Sequence, residues 1–118
     1  MTELELAKAA AKALDSKKAL NLKILHITEL SVIADYFVIA TGTSNTQVKA
    51  MADEVEYQLK EKGIAPGHIE GYNSNSWILL DYGSVVVHVF TTESRSFYDL
   101  DRLWQDGEEV DPELPDEA

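Results

Sequence analysis

The stretch WILLDYGSVVVHVF, Trp77 to Phe90, constrains the fold more than any other part of the chain, because ten of its fourteen side chains are apolar. Two runs, 77–81 and 85–90, flank Tyr82-Gly83-Ser84, which reads as a tight β-hairpin. Side chains alternate across a strand, so Val85, Val87 and Val89 share one face, and Val86, His88 and Phe90 share the other. On the first run Ile78 and Leu80 likewise oppose Trp77 and Leu79. Both faces of the hairpin are apolar and need cover.

The remaining elements follow from pattern. Thr2 and Glu5 make a capping box, and Leu4, Ala7, Ala11 and Leu14 repeat at helical spacing, which predicts a helix over about 3–16. LNLKILHI, Leu20 to Ile27, alternates imperfectly and reads as a strand. DYFVIATG carries a continuous apolar run from Tyr36 to Ala40 that Gly42 stops, the pattern of a central strand buried on both faces. Ser44 and Gln47 form a second capping-box pattern ahead of Val48, Met51, Ala52, Val55 and Leu59, with charged residues largely on the opposite face. Gly63 followed by Ile64 suits a Schellman stop. After a polar loop around GYNSNS and the hairpin, a last helical stretch is expected from about Ser94 to Trp104. This order predicts an α/β fold of mixed α+β character: a mixed sheet of four to five strands with helices packed on it.

Charge and length bound the function. The 118 residues suffice for one core, expected within 1–104 as a single domain. The net charge of -11 is concentrated at the end, since QDGEEVDPELPDEA, 105–118, has seven acids and no base. Such a tail buries too little to offset its ordering entropy and is expected to be disordered. Its acidity disfavours direct nonspecific or sequence-specific binding to nucleic acid, where cationic side chains supply the affinity. No apolar run approaches a membrane span and no secretory signal is visible, so a cytoplasmic protein without membrane association is expected. The absence of cysteine removes disulfides, thiolate metal sites and thiol nucleophiles.

No motif for catalysis stands out. ATGTSNTQ, Ala40 to Gln47, turns from a strand into a helix whose N-H groups suit an anion, but it has no phosphate-binding glycine motif or lysine, and Ser44 reads as a cap. His26 and His88 lie in predicted strands and His68 in a loop, without metal-ligand spacing. Asp99 and Asp101, two apart on a predicted helix, diverge, and Asp81 stands alone at a strand end. His88 reads as a partly buried imidazole bonded to a neighbour, with a proton carrier or a polar anchor at a contact as the functional alternative. No metal and no cofactor is expected. The aromatic residues around the hairpin and last helix exceed what an alanine-rich first helix can cover, and aromatics with a polar rim are what contact surfaces select.

DYFVIATGTSNTQVKAMADEV, EGYNSNSWILLDYGSVVVHVF and SRSFYDLDRLW together resemble the Iojap family of bacterial ribosomal silencing factors, over about 35–104. The resemblance implies a nucleotidyltransferase-like fold without transfer activity, hence not an enzyme. It implies binding to the fourteenth protein of the large ribosomal subunit at the intersubunit face. Subunit association is then blocked sterically and translation repressed under nutrient limitation. It also implies a homodimer when free. The partner-binding residues it points to are Trp77, Ile78, Tyr98 and Leu100, with Tyr82, His88 and Trp104 beside them. The competing expectation is a nucleotide-binding or nucleotidyltransferase-like module acting on a small substrate.

Overall fold

In the structure, a computed structural model, residues 2–27, 34–72, 75–99, 102 and 105–114 are described. The chain runs α1 (Glu3–Ser16), β1 (Leu20–His26), β2 (Tyr36–Gly42), α2 (Asn45–Glu61), β3 (His68–Glu70), β4 (Trp77–Asp81), β5 (Val85–Thr91), α3 (Thr92–Tyr98) and β6 (Glu108–Val110). The strands form one six-stranded sheet in the order β3-β4-β5-β2-β1-β6. Among the described residues only the central pair, β2 and β5, runs parallel, and the other pairings are antiparallel. The mixed α/β class is as expected, with one more strand than the upper expectation.

The two strands that the sequence pattern does not mark, β3 and β6, are three residues long, too short to carry an alternation signal. β3 includes His68, expected in a loop, and pairs it with Asp81. β6 lies inside the acidic segment expected to be disordered. There Glu108–Val110 pairs with the outer edge of β1, which offers unpaired backbone groups, and Val110 and Leu114 pack against the core. The Lys8 ammonium adds an ion pair to Glu113 at 2.6 Å.

α1 and α2 cover one face of the sheet. The capping box at the start of α1 is formed in both directions: Thr2 Oγ1 accepts from Glu5 N, and Glu5 Oε1 accepts from Thr2 N. Ala7, Ala10 and Ala11 are fully buried. Their lack of bulk lets α1 lie close to the sheet and to α2, while Leu6 and Leu14 fill the remaining space. α2 ends in the anticipated Schellman geometry, with Gly63 N donating to Lys60 O and Ile64 N to Leu59 O, and Gly63 at φ +80°.

The start of α2 differs from its expected capping box. Ser44 Oγ accepts from Gln47 N, as a cap should. The Gln47 amide, however, turns elsewhere: Oε1 accepts from the Thr43 backbone N and Oγ1, while Nε2 donates to the carbonyls of Lys17 and Lys18. Carbonyls at the end of one helix thus find donors at the start of another.

β1 explains its own imperfect alternation. Its register against β2 shifts between Leu20 and Lys23, a bulge with Asn21 at φ +48°. The Arg95 guanidinium donates to the Asn21 carbonyl and to Thr41 Oγ1 (2.9 Å), tying α3 to the ends of β1 and β2. α3 is shorter than the expected span to Trp104. It begins with Thr91 as cap and ends at Asp99, which adopts the left-handed conformation and returns its N-H to Arg95 O. Of residues 100–104 only Arg102 is described.

Gly71 joins β3 to the approach of β4 at φ +94°, and a Cβ there would stand 1.9 Å from the Trp77 carbonyl oxygen. Gly71→Ala is therefore expected to lower unfolding free energy by about 3 kcal/mol or more, from backbone strain and a clash that no rotamer relieves. Urea denaturation of the two proteins checks it; equal midpoints would contradict this account of the β3–β4 turn.

Candidate functional site: the sheet face opposite the helices

β5 is buried along Val85–Phe90 on both sides. Val85, Val87 and Val89 join Ile78, Leu80, Val38 and Ala40 beneath α1 and α2. Val86 and Phe90 join Leu25, Ile27, Ala34 and Ile39 on the opposite face, with Phe37, Trp77 and Leu79 half-buried against them. Among the described residues no helix contributes to this second cluster. The parity read from sequence is realised, and it divides the hairpin into a helix-covered face and one bordered by partly exposed apolar side chains.

His88 sits at the centre of the second face. Strand register places Leu79 directly across from it on β4 and Ile39 on β2, with Trp77 and Phe37 on the diagonals. The Trp77 ring stacks on Phe90 at a centroid distance of 5.1 Å, and Phe37 meets His88 edge to face at 4.7 Å. Trp77 Nε1 donates to His88 Nδ1 at 3.2 Å. That bond requires Nδ1 to be unprotonated, so the neutral ring carries its hydrogen on Nε2. His88 is 4% exposed, and burial pushes its pKa down from 6.5 to about 4.

The expected contact residues separate in space. Trp77 and His88 belong to the second face. Ile78 is fully buried in the helix-side core and has no surface to offer a partner. Tyr82 packs on that same side, its hydroxyl buried without a hydrogen-bond partner among the described residues; burial and then the Glu56 carboxylate hold its pKa well above the usual phenol value. Tyr98 is the last residue of α3. Leu100 and Trp104 lie outside the described residues. Three apolar side chains with exposed surface lie outside that expected set: Phe37, Leu79 and Phe97. Phe37 and Leu79 follow from strand parity once Trp77 is chosen. Phe97, 81% exposed on α3, is marked only by being a large apolar residue that the fold does not cover.

Other candidates have structural duties. Ser44 caps α2 and Thr43 is bonded to Gln47, which occupies the hydroxyls of the ATGTSNTQ turn. The Asp81 carboxylate accepts from Gly83 N and sets the hairpin turn. Tyr72 donates toward Asp53 and Glu56 on α2, at 2.9 and 2.7 Å, and joins the β3–β4 loop to that helix. Among the described residues no group of three His, Asp or Glu is arranged to hold a metal ion, and no helix is long and apolar enough to cross a membrane.

The fold has known relatives. The RsfS family model, described as ribosomal silencing factor during starvation, matches residues 1–118. Ribosomal silencing factor RsfS of Halalkalibacterium halodurans is 42% identical over 113 residues, which is 96% of this chain and 97% of that protein. The protein of the same description from Bacillus subtilis is 42% identical over 106 residues, 90% of each chain. The chloroplastic Iojap protein of Zea mays is 34% identical over 95% of this chain and 48% of its own length. A crystal structure of a Chromobacterium violaceum protein superposes with a TM-score of 0.87 at 36% identity, covering 98% of this chain and 95% of that one.

The buried neutral His88 makes stability depend on pH. Its folded pKa of about 4 lies below the unfolded value near 6.5, so the unfolded chain takes up the proton first. The associated stability is complete above pH 6.5 and is lost as pH falls toward 4, about 3 kcal/mol in total. His88→Asn, which does not titrate, is expected to flatten that part of the curve. Urea midpoints for both proteins between pH 7 and 4 test it, and parallel curves would count against a buried neutral imidazole.

Proposed function

The chain belongs to the RsfS family of ribosomal silencing factors, and from that premise we propose that the sheet face opposite α1 and α2 docks the fourteenth protein of the large ribosomal subunit, at the surface that meets the small subunit. A folded domain seated there occupies intersubunit space, so subunits fail to join and translation falls when nutrients are short. The action is steric and cytoplasmic, and it needs no catalysis.

The observation that carries this reading is the half-buried Trp77, Phe37 and Leu79 around a recessed His88. An apolar sheet face with aromatic side chains at its border is stabilised by a second surface that removes it from water. The geometry favours Trp77 as the anchor, with Phe37 and Leu79 beside it. The family resemblance adds Tyr98, Leu100 and Trp104 to the proposed contact residues. Ile78 and Tyr82 support β4 from behind. A net charge of -11 suits a basic ribosomal protein, because opposite potentials speed encounter and favour one register. In the free protein the same face pairs with a second copy, which hides the apolar side chains until a ribosome is met.

Trp77→Ala leaves the helix-side core untouched and removes the anchor. It is expected to weaken association with purified large subunits by about thirtyfold, the scale of a tryptophan hot spot, and to restore subunit joining followed by light scattering. Co-sedimentation reads the first effect and a thermal melt verifies folding. A folded variant that pellets with large subunits as well as the unaltered protein would exclude Trp77 as the anchor.

A further inference from the structure

Resting on the reading that this sheet face docks a protein, we propose that His88 is its specificity-determining donor: the Nε2 hydrogen, fixed in place by Trp77, is given to an uncharged acceptor oxygen of the partner, a main-chain carbonyl or a side-chain amide or hydroxyl.

Three observations lead there. First, Nε2 is buried and has no acceptor among the described residues, although the Trp77 bond obliges it to carry the proton. A buried donor without an acceptor is costly and uncommon in a folded protein. Second, the location is not incidental. His88 is the central residue of the face, between Ile39 and Leu79. A side chain on a strand stands off the sheet, and Nε2 lies at the end of the imidazole remote from Cβ, so the donor points outward from the strand. Third, beside the fully buried Ile39 and Phe90, its described neighbours include the half-buried Phe37, Trp77 and Leu79, the side chains that an incoming segment meets first.

The chemistry of the acceptor follows from the same bond. A partner carboxylate against Nε2 would favour the imidazolium, in which both nitrogens are donors, and Nδ1 would then repel the Trp77 indole N-H. A neutral oxygen leaves the Trp77–His88 bond intact and completes the hydrogen bonding of the ring. An apolar partner surface without such an oxygen would leave the donor buried and unpaired, so the face rejects it. His88 thereby selects among surfaces that Trp77, Phe37 and Leu79 alone would accept.

Two substitutions separate the nitrogens. The amide nitrogen of glutamine stands near the position of imidazole Nε2, and the amide of asparagine near that of Nδ1. His88→Gln keeps an outward donor; His88→Asn keeps a partner for Trp77 and loses that donor. With purified large subunits, His88→Gln is expected to bind within about threefold of the unaltered protein, and His88→Asn about tenfold more weakly, at comparable melting temperatures. If His88→Asn binds as tightly as the unaltered protein, or both variants weaken alike, the proposal fails while the docking face stands. If the unaltered protein itself does not bind large subunits, both fail. Nitrogen NMR of histidine-labelled unaltered protein needs no variant: a neutral His88 with its hydrogen on Nε2 is expected, and a hydrogen on Nδ1 overturns the assignment.

Discussion

The structure depends on one constraint, that β5 is apolar on both sides and sits in the middle of the sheet. A strand buried along its length cannot tolerate solvent on either face. α1 and α2 together supply one covering layer, and the alanines of α1 allow two helices to fit over strands carrying Val85, Val87, Val89, Ile78 and Leu80. The parallel pairing of β2 with β5 follows from the same economy of space, since α2 must cross over the covered face between them. What is left on the other face is a second, smaller cluster whose border residues stay partly in water.

That asymmetry leaves one side of the sheet bordered by partly exposed apolar side chains. Polar groups are scarce on the second face, and the one at its centre is tied to the neighbouring ring by a hydrogen bond that fixes where its proton lies. His88 is therefore held as a neutral ring whose Nδ1 is already engaged by Trp77. Burial keeps it neutral, and its strand neighbours Leu79 and Ile39 give it no ionisable group to exchange a proton with. The loop residues that sequence motifs make tempting, Thr43, Ser44 and Asp81, hold turns and helix ends together. Arg95 does the same at the end of β2, near Thr43 and Ser44, holding the bulge in β1 against α3.

Strong periodicity made much of this fold legible in advance. α1, α2 and the hairpin each have caps, turns and apolar spacing that agree with one another, and their bounds follow closely. Elements without internal pattern were not legible: β3 and β6 exist because β4 and β1 have open edges, and three-residue strands borrow their order from those neighbours. For the proposed contact face, aromatic content singled out Trp77 and His88 but also Ile78 and Tyr82, because a linear list of apolar residues does not say which side of the sheet is already covered. Phe37 was hidden for the opposite reason, inside a run that reads as core on both faces.

The sequence by itself determined the class of fold, the two-sided burial of the hairpin, the family, and the acidic character that a partner must complement. Those properties are carried by local spacing and composition, which survive reading in one dimension. Only tertiary structure decided that both long helices lie on the same face, that Gln47 bridges the ends of α1 and α2, and that His88 accepts from Trp77 with its other nitrogen unpaired among the described residues. Each of these depends on groups brought together from separate elements, and no spacing along the chain records which face a neighbour will choose to cover.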